Sequence, residues 1–153
     1  MTHFKHMAFL FLALLATASP KPVRAGAANA QVTCHGSGKH ADLRIVADIP
    51  GDFAEYKVKL VYKSVEKVWH DAGNPMIVSV HDFERKVFVV GVGDEFVLYA
   101  DPKTVEFVTK ETNRELHADF RAFVSAPKPG AEKWGADNYL DHVPVACKYD
   151  FSI

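Results

Sequence analysis

The sequence predicts an all-β domain, an antiparallel meander of about eight strands that forms a small barrel, with a β-sandwich as the alternative architecture. Apolar and polar residues alternate along short runs, which is the period of strands that bury one face. Turn-forming residues separate these runs, as in Pro50-Gly51-Asp52 and Asp101-Pro102-Lys103. Helical periodicity is nearly absent after residue 30, so we expect little helix.

Eight runs have the length and composition of strands. They cover residues 43–49, 56–63, 76–81, 87–92, 96–100, 104–109, 116–124 and 143–151. Gly93-Asp94 lies between two apolar runs and indicates a tight hairpin. The segment 64–70 fits either a helical turn or a bulged continuation of the strand before it. The apolar phase slips near Lys63-Ser64, which favours the bulge.

One predicted connection is long, and it covers residues 127–142. It carries Trp134 and Tyr139 among glycines, prolines and charged residues. Long loops in compact domains often carry function, and Trp and Tyr are common anchors at binding surfaces. We therefore take Trp134 and Tyr139 as the candidate binding residues.

The N-terminus has the pattern of a secretory signal peptide. Lys5 and His6 precede an apolar run over 7–15, which is shorter than the roughly 20 residues of a membrane-spanning helix. Small-x-small sequences place the cleavage after residue 18, or as late as residue 30. We expect a signal peptide over 1–18, a leader remnant or flexible tail over 19–30, and one domain over 31–153. The mature chain is then secreted or periplasmic and has no transmembrane segment.

Two cysteines, Cys34 and Cys147, lie near the two ends of the predicted domain. In an oxidising compartment a lone pair most simply forms a disulfide, with free thiols or an intermolecular bridge as the alternatives. The bridge would join the N- and C-terminal strands, and pairing those strands would remove two exposed sheet edges. For so long a loop, the chain-entropy estimate of the stabilisation is roughly 4–5 kcal/mol.

The charge distribution argues against nucleic-acid binding. All 19 acidic residues lie at or after Asp42, whereas three of the 18 basic residues precede residue 31. The predicted domain therefore carries 15 basic residues and a net charge of −4. An acidic domain is a poor match for a phosphate backbone.

The domain contains six histidines, at positions 35, 40, 70, 81, 117 and 142. Neutral imidazole is a common metal ligand, and His35 and His40 would approach His142 if the terminal strands pair. We take these three as candidate metal ligands. No His-x-x-x-His or Cys-x-x-Cys spacing supports them, so exposed polar histidines are the alternative interpretation.

A five-residue pattern, His-Ala-Asp-apolar-Arg, occurs at residues 40–44 and again at 117–121. On a strand its His, Asp and Arg would share one face. That face is either a polar constellation for a ligand or for acid–base work, or simply the solvated side of a half-buried strand. The alternation itself favours the solvated side.

The motifs of several enzyme classes are missing. The stretch CHGSGKH over 34–40 fails the phosphate-loop spacing, because Thr33 and His40 occupy the positions of its first glycine and its final Ser or Thr. Neither G-x-S-x-G nor H-E-x-x-H occurs. We do not assign an enzymatic activity, and no catalytic residue is proposed.

We expect a non-enzymatic binding or inhibitor-type protein that acts through loops on a protein or a small ligand. The first alternative is a His-based metal-binding protein or metalloenzyme, in which case a metal ion is the cofactor. The second is a carrier of a small lipophilic ligand inside the barrel.

Overall fold

The computed structural model describes residues 29–50, 56–70, 77–107, 115–132 and 135–152. Almost all of the regular structure in these ranges is strand, with three short 3₁₀ turns. The ten strands are β1 (Asn29–Gly36), β2 (Arg44–Pro50), β3 (Lys57–Tyr62), β4 (Val65–His70), β5 (Ile77–Asp82), β6 (Val87–Val92), β7 (Phe96–Ala100), β8 (Glu106–Phe107), β9 (Glu115–Pro127) and β10 (Tyr139–Ser152). Each of the eight predicted runs overlaps one of these strands.

The strands form one antiparallel sheet that curls into a nearly closed barrel. Their order is β4-β3-β2-β1-β10-β9-β7-β6-β5, and β8 pairs with β9 beside this path. Neighbours in the sheet are mostly neighbours in sequence, and the main exception is the pairing of β1 with β10. The predicted meander and barrel are therefore confirmed. The two strands at the ends of the order, β4 and β5, mark the seam.

The core follows from the predicted alternation. Along β3 and β7 every second side chain is buried, and the same holds for most of β9 and β10. Four aromatic rings, from Phe83, Phe88, Phe120 and Tyr149, pack inside the barrel with centroids 4.5 to 6.2 Å apart. Burial raises the pKa of Tyr149 to about 12, because the phenolate would lose its hydration.

β1 pairs along its whole length with the second half of β10, and a disulfide joins the two strands. Cys34 lies directly opposite Cys147 in the register of β1 and β10, with Cα atoms 4.1 Å apart and a sequence separation of 113. Both cysteines are buried and face the core. The predicted bridge between the N- and C-terminal strands is confirmed.

Two strands were not among the eight predicted runs. β1 begins at Asn29, inside the segment expected to be a leader remnant or tail, and residues 1–28 lie outside the described ranges. The expected helical turn or bulge over 64–70 is wrong, because β4 pairs with β3 as a regular hairpin. Lys63 and Ser64 form its two-residue turn with φ of 50° and 64°, the left-handed values of a tight hairpin turn.

The predicted turns at Gly93-Asp94 and Asp101-Pro102-Lys103 are confirmed, whereas Gly51 and Asp52 of the predicted turn at 50–52 lie outside the described residues. The long connection is shorter than expected. At Gly93-Asp94 the chain reverses with a hydrogen bond of 3.0 Å from the Glu95 N–H to the Val92 carbonyl. β9 extends to Pro127 and β10 begins at Tyr139, so the connection covers 128–138 rather than 127–142. No helix in the described ranges is long and apolar enough to cross a membrane.

Breaking the disulfide, by reduction or by a Cys34→Ala/Cys147→Ala variant, should lower the free energy of unfolding by about 2–5 kcal/mol. The bridge restrains a long loop in the unfolded chain and holds the two strands that close the sheet. Urea unfolding, followed by tryptophan fluorescence with and without reductant, measures the change. A midpoint that does not move on reduction would contradict this expectation.

Candidate functional site

The outer surface of the terminal strands carries a cleft of about 510 Å³ that is bordered by several charged side chains. We call it the terminal-strand cleft. It lies over β1, β10 and β9 and is bounded by the 3₁₀ turn Pro102–Thr104 and by β8. Its polar and charged side chains are those of His35, Lys103, Thr104, Glu106, Asp119, Arg121 and Lys148.

Strand register determines how these side chains are arranged. His35 of β1 and Arg121 of β9 both lie opposite Ala146 of β10, one on each side. Directly opposed residues in antiparallel strands have Cβ atoms about 5 Å apart. The His35 imidazole and the Arg121 guanidinium therefore lie on either side of the Ala146 methyl group, which forms the floor of the cleft. In the next row Lys148 lies opposite Asp119, and Asp119 opposite Glu106.

One wall of the cleft is attached to the backbone of Arg121. β7 and β8 both pair with β9, and between them the chain leaves the sheet for the turn 101–105. The Thr104 Oγ1 accepts a hydrogen bond of 2.9 Å from the Arg121 N–H, and the Asp101 N–H donates one of 2.8 Å to the Arg121 carbonyl. These bonds replace the missing strand pairing and hold Lys103 beside the cleft.

The disulfide lies directly beneath the cleft. Cys34 and Cys147 point into the core, while their neighbours His35, Ala146 and Lys148 point outward. Because the bridge fixes β1 against β10 at this register, it also fixes the backbone of His35 relative to that of Ala146. The floor of the cleft is thus one of the most constrained parts of the fold.

The cleft carries more positive than negative charge, although the domain as a whole is acidic. Lys103, Arg121 and Lys148 face two carboxylates, and Arg44 lies on the far side of His35 in the register of β2. Within the described ranges no ion pair joins any of these four cations to a carboxylate. Their charge is therefore available to a ligand.

The repeated His-Ala-Asp-apolar-Arg pattern has two different outcomes. The second copy lies on β9, where His117, Asp119 and Arg121 share the outer face as predicted. Asp119 and Arg121 also line the terminal-strand cleft. The Nδ1 atom of His117 is 2.6 Å from Asp150 Oδ1 across the strands. The first copy is not on a strand face, since His40 ends a 3₁₀ turn and Asp42 precedes β2.

The three candidate metal ligands lie in different surroundings. His35 is half-buried on the outer face of β1. His40 packs 6.1 Å from the Tyr62 ring, and burial, followed by the charges of Lys39 and Lys128, lowers its pKa. The described ranges contain no group of three or more His, Cys, Asp or Glu residues that could hold a metal ion. A metal site built from His35, His40 and His142 stays a prediction.

His142 occupies a bulge in β10, where the register with β9 shifts. Its φ is 48°, its N–H donates to Ser125 Oγ at 3.0 Å, and its ring meets Tyr99 edge-on at 6.0 Å. The bulge turns this exposed imidazole toward Tyr99 and the Asp141 carboxylate, 2.9 Å away. Bulges commonly redirect a side chain in this way.

Of the two predicted loop anchors, Trp134 lies outside the described residues. Tyr139 is half-buried at the start of β10 and lines a second, smaller cleft of about 140 Å³ with Lys67, Glu95 and Asn138. Burial, then the negative charges of Asp141 and Asp94, raises the pKa of Tyr139.

The carboxylate of Glu95 connects β4 to the start of β7. It accepts hydrogen bonds from Lys67 Nζ at 2.6 Å and from Trp69 Nε1 at 2.8 Å, and Lys67 Nζ lies 4.8 Å from the Trp69 ring centroid. The Trp69 ring packs on Phe96 at 5.3 Å. We call this set of contacts the seam cluster, because it holds the last strand of one half of the sheet against the other half.

No family model, no curated protein and no solved structure matches this chain.

Replacing Glu95 by Gln should flatten the acid limb of the stability curve. The hydrogen bonds from Lys67 and Trp69 hold the pKa of Glu95 below its usual value. A carboxylate with a lowered pKa in the folded state stabilises above its unfolded pKa, and this stabilisation is lost as the pH falls through the folded value. Between roughly pH 5 and pH 3 the wild type should therefore lose stability more steeply than E95Q.

The measurement is the free energy of unfolding against pH, and the difference should be about 1 kcal/mol or less because the carboxylate is partly exposed. The control is E66Q, which removes the β4 carboxylate that pairs with Lys59. If E95Q and the wild type keep parallel pH profiles, Glu95 has no such role.

Proposed function

We propose that this chain is a non-enzymatic binding protein that holds the anionic group of a small ligand in the terminal-strand cleft. The observation that supports this proposal is the pair Arg121 and His35 on either side of Ala146, with Lys148 and Lys103 next to them. A guanidinium binds phosphate, sulfate and carboxylate through two parallel hydrogen bonds.

The size and rigidity of the cleft support the same function. Small-molecule sites typically measure about 300–1,000 Å³ and are largely formed before the ligand arrives, and this cleft is about 510 Å³. The disulfide beneath the floor and the hydrogen bonds to the Arg121 backbone reduce the ordering that binding requires. A ligand then loses less entropy on binding.

The carboxylates in the cleft restrict which ligands fit. Asp119 and Glu106 lie in the row next to His35 and Arg121, together with Lys148, so the cleft has a basic part around His35 and Arg121 and a part of mixed charge beside it. A ligand with one oxyanion for Arg121 and a hydroxyl or amino group for Asp119 matches both parts. This complementarity favours small polar molecules over fully anionic polymers.

The test is a titration of the ¹⁵N-labelled protein with inorganic phosphate and, separately, sulfate, followed by amide chemical shifts. Saturable shifts should occur at residues 103–106, 119–121 and 146–148. Arg121→Gln should weaken binding about tenfold or more, which corresponds to at least ~1.4 kcal/mol. Asp119→Asn should tighten binding, because it removes a repelling charge.

The matched control is Lys57→Gln, a basic residue on β3 away from the cleft. It should bind like the wild type. A wild type with no saturable shifts in the cleft, or an R121Q variant of unchanged affinity, would sink the proposal. If a Trp134→Ala/Tyr139→Ala variant loses binding while R121Q retains it, the function belongs to the segment that carries Trp134 and Tyr139, as the sequence analysis predicts.

A further inference from the structure

A second surface of the barrel is apolar rather than polar. Val78, Val80 and Val87, on the outer faces of β5 and β6, have relative exposures of 58, 48 and 39%. Within the described ranges one other large hydrophobic side chain, Val65, is this exposed. Register continues the surface from Val80 through Val89, Tyr99 and Phe123 across β6, β7 and β9.

This apolar surface ends at an unpaired strand edge. β5 pairs with β6 alone in the described structure, and β4 does not lie along its other side. Trp69, near the end of β4, packs on Phe96 of β7. In the sheet, Phe96 lies opposite Val92 of β6, and Val92 lies opposite Ile77, the first residue of β5. β4 therefore ends at the level where β5 begins, and the backbone N–H and C=O groups along the outer edge of β5 have no partner among the described strands.

The two edges of the sheet differ in how they are protected. β4 carries Glu66 and Lys67, both engaged in ion pairs. β5 has the sequence IVSVHD, with no lysine, arginine, proline or bulge, and its one carboxylate belongs to the last residue, Asp82. Proteins normally blunt exposed edges with charge, proline or bulges. The unprotected edge of β5 is suited to pairing with another strand.

We propose that β5 pairs antiparallel with β5 of a second copy of this chain, forming a two-fold symmetric dimer. The unpaired backbone requires an extended segment as the occupant, and β5 is self-complementary. With Ser79 opposite itself, Val78 of each copy lies beside Val80 of the other on the outer face, and Ile77 lies beside His81 on the inner face. No like charges are opposed in this register, and the two apolar surfaces become one.

A second copy fits this edge better than a heterologous contact with β4. If β5 paired with β4 of the next molecule, Glu66 and Lys67 of β4 would lie against Val78 and Val80 of β5. Each molecule would then use a different edge for each neighbour, so the assembly would grow into an open filament. The two-fold arrangement closes after two copies and leaves the terminal-strand cleft, on β1, β10 and β9, outside the interface. This dimer therefore does not depend on the ligand-binding proposal.

The test is sedimentation equilibrium of the oxidised protein over a wide concentration range. The wild type should show a monomer–dimer equilibrium, and Val80→Lys should raise its dissociation constant about tenfold or more, since the lysine is placed in an apolar pair. Val65→Lys is the matched control, because Val65 has a relative exposure of 45% and lies on β4. It should associate like the wild type.

A mixed sample tests the register. Val78→Glu in one copy and Val80→Lys in the other would be opposed, so a mixture of these variants should dimerise more tightly than either variant alone. A wild type that stays monomeric at all concentrations, or a V80K variant that associates as well as the wild type, overturns the proposal. A mixture no tighter than its components overturns the register centred on Ser79.

Discussion

The pairing of β1 with β10 is the interaction on which the rest of the structure depends. It joins two strands that are more than a hundred residues apart in sequence, and without it the sheet would divide into two meanders, β4-β3-β2-β1 and β10-β9-β7-β6-β5. Such long-range pairing has a high entropic cost. The Cys34–Cys147 bridge reduces that cost by restricting the unfolded chain.

This constraint also explains where the barrel is rigid and where it is open. Closing the sheet at the chain termini places the seam in the middle of the sequence, between β4 and β5. The covalently fixed side carries the charged cleft, whereas the seam is held by the partly exposed side chains of Lys67, Trp69 and Glu95. The outer surface accordingly has a polar, constrained half and an apolar half with a free edge.

The sequence predicted what depends on local periodicity and chemistry, namely strands, short turns and the bridge. It did not reveal β4, because Lys63 and Ser64 adopt left-handed φ values without the Asn-Gly signal of such turns. The sequence pointed to Arg121 but not to Lys148 or Ala146. Which residues of β10 lie beside Arg121 depends on the register between β9 and β10, and a shift of one residue would move every side chain of a strand to the other face of the sheet. A cleft that depends on the register of β1, β10 and β9 cannot be read from one strand alone.

The most direct test of the central role of the β1–β10 pair is amide hydrogen exchange, measured residue by residue in the oxidised and the reduced protein. On reduction, protection should fall first along β1, β10 and the turn 101–105 attached to β9, while β6 and β7 keep theirs. If reduction leaves the protection of β1 and β10 unchanged, or lowers it equally in every strand, the disulfide-locked terminal pair is not the element that organises this fold.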